Sequence, residues 1–310
     1  MLKEIQTIVI LGNGFDISHS IPSGYNDFKN YIKKKYNFDE KDFFPTIYAE
    51  LGVHGRINIC EEESAKALFY GIESSLNNDW SKFEQDLAHM DFSDLIPTLN
   101  EFIGVDYEDD YSYYSQVYEN YIYDFISIID FWKDIFNEWI NEVNEKIVKL
   151  PNTSINPLFT KLFKENTIVF SFNYTETVER LYCFNNIIHI HNKVGDKLVW
   201  GHGEKIKNIN KMYTLDNKLC GAIVLNEYKK DTQKQIKKFR KFFDNLKDRT
   251  ITIYSYGFGY SDVDLIYIKK IINNINVNSE WYLFDYNNSF AIQEQILKDC
   301  GFTGKIYQLY

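Results

Sequence analysis

The chain has 310 residues, with 45% hydrophobic and 17% aromatic residues, a composition that excludes a disordered protein. Its net charge of −10 argues against a generally basic nucleic-acid binder. The four cysteines, Cys60, Cys183, Cys220 and Cys300, include no C-x-x-C pair, so the sequence indicates neither a zinc site nor a disulfide framework.

The first predicted element is a strand over residues 7–11, which stops at a glycine turn formed by Gly12, Asn13 and Gly14. Its residues are β-branched or aliphatic without polar alternation, which is typical of a strand buried on both faces of a parallel sheet. The two glycines permit a tight turn and a close approach of backbone to ligand. Because Asp16 follows at the sheet edge where α/β folds bind ligands, the turn predicts a nucleotide site.

Other nucleotide and metal motifs receive no support from the chain. Ile17 stands where the dinucleotide fingerprint has its third glycine, which disfavours an ordinary dehydrogenase. Neither G-x-x-x-x-G-K-[ST] nor H-E-x-x-H occurs, so P-loop and zincin chemistry are not indicated. Two glycines after a strand also form ordinary turns, and this alternative to a nucleotide site stays open.

Residues 25–150 are predicted to be helical almost throughout. Helices are expected at 25–35, 64–75, 80–90 and 113–150. In the last of these, apolar residues recur at spacings of three and four until Pro151 ends the pattern. We therefore predict a helical insertion or cap at 25–150, and a nucleotide-binding domain made of residues 1–24 and 151–310.

Strands and helices alternate in the rest of the chain. Strands are predicted at 167–172, 187–191, 197–200, 251–256 and 281–284, and helices at 177–182, 231–246, 261–274 and 289–300. Repeated strand, polar turn and helix predict a parallel sheet with helices on both faces. The predicted fold class is therefore α/β, with a Rossmann-like parallel sheet.

Polar residues follow four of the predicted strands. They are Asn13 and Asp16, Asn173, His189 and His191, and the segment 259–262. Because the carboxyl ends of parallel strands share one edge of a sheet, we expect these residues to converge on one crevice. Each also has an ordinary explanation: Asn173 and Asp262 could cap helices, and a histidine on a short strand is often a satisfied buried group.

Seven segments together resemble the AbiH family of bacterial phage-defence (abortive infection) proteins. They are GNGFD at 12–16, IPSGYNDF at 21–28, DWSKFE at 79–84, FSFNYT at 170–175, HIHN at 189–192, WGHG at 200–203 and YGFGYSDVD at 256–264. This resemblance covers nearly the whole chain and implies an antiviral role. The AbiH pattern is more distantly similar to sirtuins and to sirtuin-like NAD-consuming defence enzymes. That similarity implies a sirtuin-like sheet and NAD as substrate or ligand.

The sirtuin-like scheme implies roles for individual residues. Asn173 would lie near the scissile nicotinamide–ribose bond and His191 would be the general base, with Asp16 nearby. The chemistry, apart from the scheme, calls for a carboxylate that faces the ribose, for which Asp16 and Glu84 are the candidates. The nucleotide is expected to contact Gly12, Asn13, Gly14, Phe15, Tyr174, Thr175, His202, Gly257, Gly259 and Asp262. Two of these residues have ordinary alternatives, since Glu84 could be an exposed helix residue and His202 could simply belong to a turn.

These residue types suit the chemistry independently of any resemblance. Cleavage of an N-glycosidic bond passes through an oxocarbenium-like state, which a carboxylate can stabilise. A histidine with a pKa near neutrality can accept a proton from water or a ribose hydroxyl. An asparagine offers both a donor and an acceptor to the carboxamide or to the water.

The leading hypothesis is a cytoplasmic abortive-infection effector that hydrolyses NAD without a metal ion. Its expected partners are a small-molecule nucleotide and a trigger from phage or host, and it needs no membrane; a homo-oligomer is allowed. One alternative is a sensor that binds NAD or ADP-ribose and acts through a partner. Another is a nuclease or nucleic-acid binder that uses the basic residues of 205–211 and 231–247.

Overall fold

The computed structural model describes residues 5–37, 50–51, 57–58, 61–76, 80–87, 98, 111–151, 154–203, 217–285 and 288–310. The chain forms two compact units. The first, here called the sheet unit, comprises Met1–Gly24, Ile140–Val199 and Lys230–Tyr310. The second, the helical unit, comprises Tyr25–Trp139 and Trp200–Lys229.

The sheet unit is built on a six-stranded parallel sheet. Its strands are β1 (Thr7–Leu11), β2 (Thr167–Ser171), β3 (Ile187–His189), β4 (Thr252–Tyr256), β5 (Glu280–Phe284) and β6 (Lys305–Leu309). Their order across the sheet is β3-β2-β1-β4-β5-β6. This is the order of the doubly wound dinucleotide-binding folds, in which the strand order reverses between the first and fourth strands.

Helices make up most of the remaining described residues. They are α1 (Asn13–Ser18), α2 (Tyr25–Tyr36), α3 (Glu61–Leu76), α4 (Phe83–Asp86), α5 (Tyr111–Ile147), α6 (Pro157–Leu162), α7 (Thr177–Tyr182), α8 (Asn217–Glu227), α9 (Thr232–Lys238), α10 (Arg240–Asn245), α11 (Leu265–Ile272) and α12 (Phe290–Asp299). A short antiparallel pair in the helical unit joins Glu50–Leu51 to Ile57–Asn58. Within the described part of the chain, no helix is both long enough and apolar enough to cross a bilayer.

The central position predicted for the first strand is confirmed. Ile8 and Ile10 pack into one apolar core, together with residues of α10, α11 and α12. Val9 and Leu11 pack into a second core on the other face. Successive side chains of a strand point to opposite faces, so an unbroken apolar run is what a strand covered by helices on both sides requires. The predicted α/β class is therefore confirmed.

The prediction of a strand at 197–200 is wrong. The backbone there follows no strand of the sheet. Instead, Val199 N–H donates to His191 O at 2.9 Å, and the Tyr174 hydroxyl donates to Val199 O at 3.3 Å. These contacts satisfy polar groups that a strand would have paired with a neighbouring ladder.

The single lysine-rich helix predicted at 231–246 is also wrong, because the structure has α9 and α10 in its place. Phe239 separates them with φ −98° and ψ 22°. After this break, Phe242 and Phe243 pack into the core on one face of the sheet. The other basic stretch, 205–211, lies outside the described residues.

Several predicted limits shift at the carboxyl edge of the sheet. The third strand ends at His189, so His191 follows it in a turn. The helix predicted from residue 261 begins at Leu265, because Asp264 N–H donates to Ser261 O at 2.8 Å and closes a turn first. Strand β6 was missed. The helix predicted at 80–90 is a 3₁₀ turn, Trp80–Lys82, followed by α4, and residues 88–90 lie outside the description.

Aromatic side chains form much of the packing in the helical unit. Phe28, Phe69, Trp80 and Phe83 are each fully buried. The Trp80 and Phe83 rings stack with their centroids 5.4 Å apart, and Phe28 meets Phe136 edge to face at 5.2 Å. The apolar pattern predicted along 113–150 also belongs to the core where its side chains are described, since Trp132, Phe136 and Trp139 are buried.

Candidate functional site

The glycine turn packs directly against the loop that follows β4. Gly14 N–H donates to Gly257 O at 2.9 Å, and Gly12 N–H donates to Tyr256 O at 3.1 Å. A Cβ at Gly12 would lie 2.5 Å from Gly257 O, and one at Gly14 would lie 2.6 Å from Gly257 Cα. The glycines therefore allow two loops to touch backbone to backbone between β1 and β4. In open α/β sheets this switch point is where ligands bind.

Asn13 and Phe15 have protein partners beside that turn. Asn13 Oδ1 accepts a hydrogen bond from Ser23 Oγ at 2.5 Å. The Phe15 ring is fully buried and meets Phe159 edge to face at 4.8 Å. Phe15 thus belongs to the core below the sheet edge, while Asn13 holds the next loop. Their contacts with a nucleotide stay a prediction.

Asp16 is a buried carboxylate that joins the loops after β1 and β2. Its Oδ2 accepts from Thr175 Oγ1 at 2.6 Å, and its Oδ1 accepts from Thr177 Oγ1 at 2.7 Å. The Asn173 side chain also hydrogen-bonds to it. Burial raises the pKa of Asp16, and these hydrogen bonds oppose that rise without cancelling it. The structure therefore brings Asp16, Asn173 and Thr175 together, as well as Thr177, which sequence reasoning missed because a threonine at a helix start looks like an ordinary cap.

Replacing Asp16 with asparagine should raise the melting temperature at pH 7. Because the folded-state pKa of Asp16 is raised, its stabilising contribution is present below the ordinary carboxyl pKa of about 4 and is lost as the pH rises through the folded value. Asparagine carries no charge, so the advantage of D16N should grow with pH and vanish in acid. Thermal unfolding across that pH range measures it.

The matched control for D16N is D16A. Alanine removes the acceptor of the Thr175 and Thr177 hydroxyls; because these two lie 3.1 Å apart, one can donate to the other, and the remaining buried donor costs about 1–3 kcal/mol. D16A should therefore melt below the wild type at every pH. A D16N protein that is less stable than the wild type at pH 7 would contradict the raised pKa.

Asn173 continues from the end of β2 and is 7% exposed. Its N–H donates to Ser171 Oγ at 3.1 Å, and its carbonyl oxygen accepts from His189 Nδ1 at 3.0 Å. The ring of Tyr174, the next residue, lies 6.1 Å from that of His191. The main chain at Asn173 is thus held from two sides, which fixes its side chain beside Asp16.

His191 lies in a second buried group, here called the His–Asp–Lys cluster (His191, Asp264 and Lys230). His191 Nε2 is 3.1 Å from Asp264 Oδ1, an ion-pair distance, although the alignment falls short of a hydrogen bond. Lys230 Nζ is 3.5 Å from the same oxygen, and its side chain is 0% exposed. Burial alone would raise the pKa of Asp264, but the Lys230 ammonium and His191 hold it well below its usual range.

Sequence reasoning missed Asp264 and Lys230. It selected Asp262, which is exposed. Asp264 is buried, and it also accepts a hydrogen bond from Ser261 Oγ at 3.0 Å. The segment YSDVD at 260–264 offered the signal, because acids two residues apart on a helical turn point in different directions and Asp264 was the alternative to Asp262. Nothing local distinguishes Lys230 from the exposed Lys229 beside it.

Three other predicted site residues have surroundings of their own. Gly259 is exposed, and a Cβ there would meet no atom within 4 Å. Glu84, on α4, and His202 both belong to the helical unit. His202 is fully buried; its Nε2 donates to Leu225 O at 2.7 Å and its N–H to Tyr228 O at 3.0 Å. Glu84 is half-buried. Their roles toward a nucleotide stay predictions.

A cavity of about 500 Å³ opens at the carboxyl ends of β1, β4 and β5. It is lined by Gly14, Ile17, Ser18, Asn156, Leu158, Tyr256, Gly257, Phe284, Asp285 and Tyr310. Small-molecule sites typically occupy roughly 300–1,000 Å³, so this cavity has the size of one. Of its lining, Gly14 and Gly257 were among the predicted residues. Tyr256, Phe284 and Asp285 were missed, although each lies at a strand end.

The parallel sheet, its strand order and the cavity beside its switch point define a doubly wound α/β protein with a candidate ligand site at the carboxyl edge. Within that class, the chain belongs to the AbiH family. The family model described as Bacteriophage abortive infection AbiH matches residues 8–286.

Membership of this family confirms the AbiH resemblance and implies a role in abortive infection, a defence against bacteriophage. No curated protein and no solved structure matches the chain. The more distant similarity to sirtuins stays a prediction.

Proposed function

We propose that this AbiH-family protein acts in abortive infection by binding NAD at the carboxyl edge of its sheet and hydrolysing the nicotinamide–ribose bond. The observation that carries the proposal is the position of three polar residues, from distant parts of the chain, after strands that end at one edge of the sheet. Asp16 and Asn173 are hydrogen-bonded, and His191 packs beside Tyr174, which follows Asn173. They follow β1, β2 and β3, whose carboxyl ends lie along one edge of the sheet.

At this edge of the sheet, the cavity is a better place for a dinucleotide than the glycine turn. The N–H groups of Gly12 and Gly14 already donate to protein carbonyls, so they are not available to a phosphate. The cavity instead offers apolar and polar walls of ligand size beside the switch point. Support for NAD therefore comes from the shape and position of the cavity and from the polar strand ends next to it.

The proposed reaction is a hydrolysis at the ribose C1′ carbon. The oxygen of water bonds to C1′ while the bond from C1′ to the nicotinamide nitrogen breaks, and nicotinamide leaves with the electron pair. ADP-ribose forms and one proton is released, which His191 accepts. Asn173 orients the carboxamide or the water, and Asp16 stabilises the positive charge that develops on the ribose. Asp264, 3.1 Å from His191, stabilises the protonated ring.

Nicotinamide release from NAD by the purified protein tests this proposal. N173A and H191A should each slow release by about 10²–10⁴-fold, the usual contribution of a positioned acid or base. D299N removes an exposed charge on α12 and serves as the matched control, with wild-type rates expected. An inactive preparation is retested with lysate of phage-infected cells. Release that continues undiminished in both variants would contradict the proposed roles.

A sensor is the second candidate, and one observation favours it. Asp16, Asn173 and His191 are only 1%, 7% and 2% exposed, and each already contacts protein groups. A protein that binds a nucleotide and passes the signal to a partner needs no exposed base. Calorimetric binding of NAD or ADP-ribose with no nicotinamide release, even in infected lysate, would support the sensor over the hydrolase.

A further inference from the structure

We propose that the cavity at the carboxyl ends of β1, β4 and β5 binds the adenosine half of NAD, with Asp285 accepting hydrogen bonds from the ribose hydroxyls. The choice of NAD rests on the proposed function. The choice of its adenosine half rests on the walls, the charge and the position of the cavity.

Aromatic rings from two neighbouring strands form one wall of the cavity. Tyr256 ends β4 and Phe284 ends β5, and their ring centroids lie 5.2 Å apart at an interplanar angle of 63°. Leu158, at the start of α6, adds an apolar contact. A planar base gains from contact with such rings, because every base presents a π-face and stacking is worth about 1–3 kcal/mol per base.

The charge of the lining favours a nucleoside over a phosphate. Among the lining residues that the structure describes, none is lysine, arginine or histidine, and Asp285 is the one acidic side chain. A phosphate placed beside a carboxylate without a neutralising cation is repelled, whereas an uncharged base with its ribose is not. The phosphates of the ligand would therefore lie outside this cavity.

Asp285 is held in an orientation that leaves it able to accept more hydrogen bonds. Its Oδ1 accepts from Phe290 N–H at 3.2 Å, and its Oδ2 accepts from Gln308 Nε2 at 2.7 Å. An ionised carboxylate has about four acceptor positions, and the hydrogen bonds from the described residues occupy two of them. The 2′ and 3′ hydroxyls of a ribose supply two donors close together. Dinucleotide-binding folds also bind ribose hydroxyls with a carboxylate; theirs follows the glycine turn by about 20 residues, whereas Asp285 follows β5, so the likeness is one of chemistry and not of position.

The position of the cavity connects it to the proposed reaction. Gly14 and Gly257 line the cavity and also form the backbone contact between β1 and β4. The cavity therefore borders the switch point, on the side of β4 and β5. A dinucleotide that begins there and crosses the switch point extends toward the ends of β1 and β2, where Asp16 and Asn173 lie.

Calorimetric titration with adenosine tests the inference directly. D285N should weaken adenosine binding by about 10- to 100-fold, the range for loss of hydrogen bonds to a charged acceptor. 2′,3′-Dideoxyadenosine should bind the wild type as weakly as adenosine binds D285N. Its affinity should be the same for the wild type and for D285N. D299N, which removes an exposed carboxylate from α12, is the matched control and should bind adenosine like the wild type.

A second pair of variants blocks the cavity without touching Asp285. Ile17 lines the cavity and is 54% exposed, so tryptophan there can enter the space without disturbing the core. I17W should lower adenosine affinity at least tenfold and leave the melting temperature unchanged. V277W changes a residue that is 69% exposed and does not line the cavity, and it should bind adenosine normally.

The outcomes separate this inference from the proposed function. Adenosine binding that is absent, or equal in D285N and I17W to the wild type, overturns the inference even if the protein hydrolyses NAD. Binding of the cationic 1-methylnicotinamide in place of adenosine overturns it as well, since the cavity would then hold the other end of NAD. Binding of adenosine and of NAD that depends on Asp285, with no cleavage of NAD even in infected lysate, supports the adenosine site and refutes the proposed hydrolysis.

Discussion

Replacing Gly257 with alanine should lower the free energy of unfolding by about 2–5 kcal/mol, the sum of a left-handed backbone penalty and an overpacking cost. Gly257 has φ +61°, and a Cβ there would lie 2.5 Å from Gly14 Cα, Gly14 C and Phe15 N. All three are backbone atoms, so no flexible side chain can move aside. Accommodating the methyl group would move apart the loops after β1 and β4, which together form the switch point. Chemical denaturation of the purified variant measures the loss.

Two further glycines provide controls for Gly257. Gly195 has φ +89° with no atom within 4 Å of its Cβ position, so G195A isolates the backbone penalty of about 1–2 kcal/mol. At Gly259 the Cβ would also meet no atom within 4 Å, and G259A should be nearly neutral. If G257A were no less stable than G259A, the close backbone contact would not exist in solution.

Replacing Asp264 with leucine should cost about 3–5 kcal/mol at pH 7, the usual result of removing one member of a buried ion pair. The carboxylate lies 3.1 Å from His191 Nε2 and 3.5 Å from Lys230 Nζ. Since the folded-state pKa of Asp264 is lowered, its stabilising contribution is present above the ordinary carboxyl pKa of about 4 and is lost as the pH falls through the folded value. The gap between wild type and D264L should therefore narrow in acid.

A double-mutant cycle shows whether the loss belongs to the ion pair. K230M should destabilise the wild type but cost much less in the D264L background, giving a coupling energy of about 1–3 kcal/mol. D262L is the matched control, because Asp262 is exposed and its replacement should change stability by less than about 0.5 kcal/mol. Additive effects of K230M and D264L would show that the two side chains do not interact.

The elements that were predicted well are those whose signal is local. The apolar runs at 7–11 and 167–171 form adjacent buried strands, and the helix predicted at 177–182 has both of its predicted ends. Predictions failed where distant contacts override the local pattern. Residues 197–200 have strand-like composition, but the backbone polar groups of Val199 pair with Tyr174 and His191. The lysine-rich segment has helical composition, but the core turns Phe242 and Phe243 inward and divides it.

The candidate site also has residues that a local pattern predicts and residues that only distant contacts bring to it. The strand-end rule located Asp16, Asn173 and His191, and it applies equally to Asp285, which was missed because a single acid after a strand has no distinctive pattern around it. The residues that contact the buried carboxylates could not be predicted from the sequence. Thr177 and Lys230 are ordinary residues in sequence, and they matter because they reach buried carboxylates on other loops.

The amino-acid sequence alone is enough to predict an α/β protein with a central first strand, and polar residues after the two strands that follow it in the chain. These features follow from runs of apolar side chains and from turn chemistry, which act over a few neighbouring residues. Long-range packing sets the rest. It places Gly257 against Gly14, the two threonine hydroxyls on Asp16, and Asp264 between His191 and Lys230. Such contacts join residues far apart in the chain, and no local pattern records which partner a buried charge will meet.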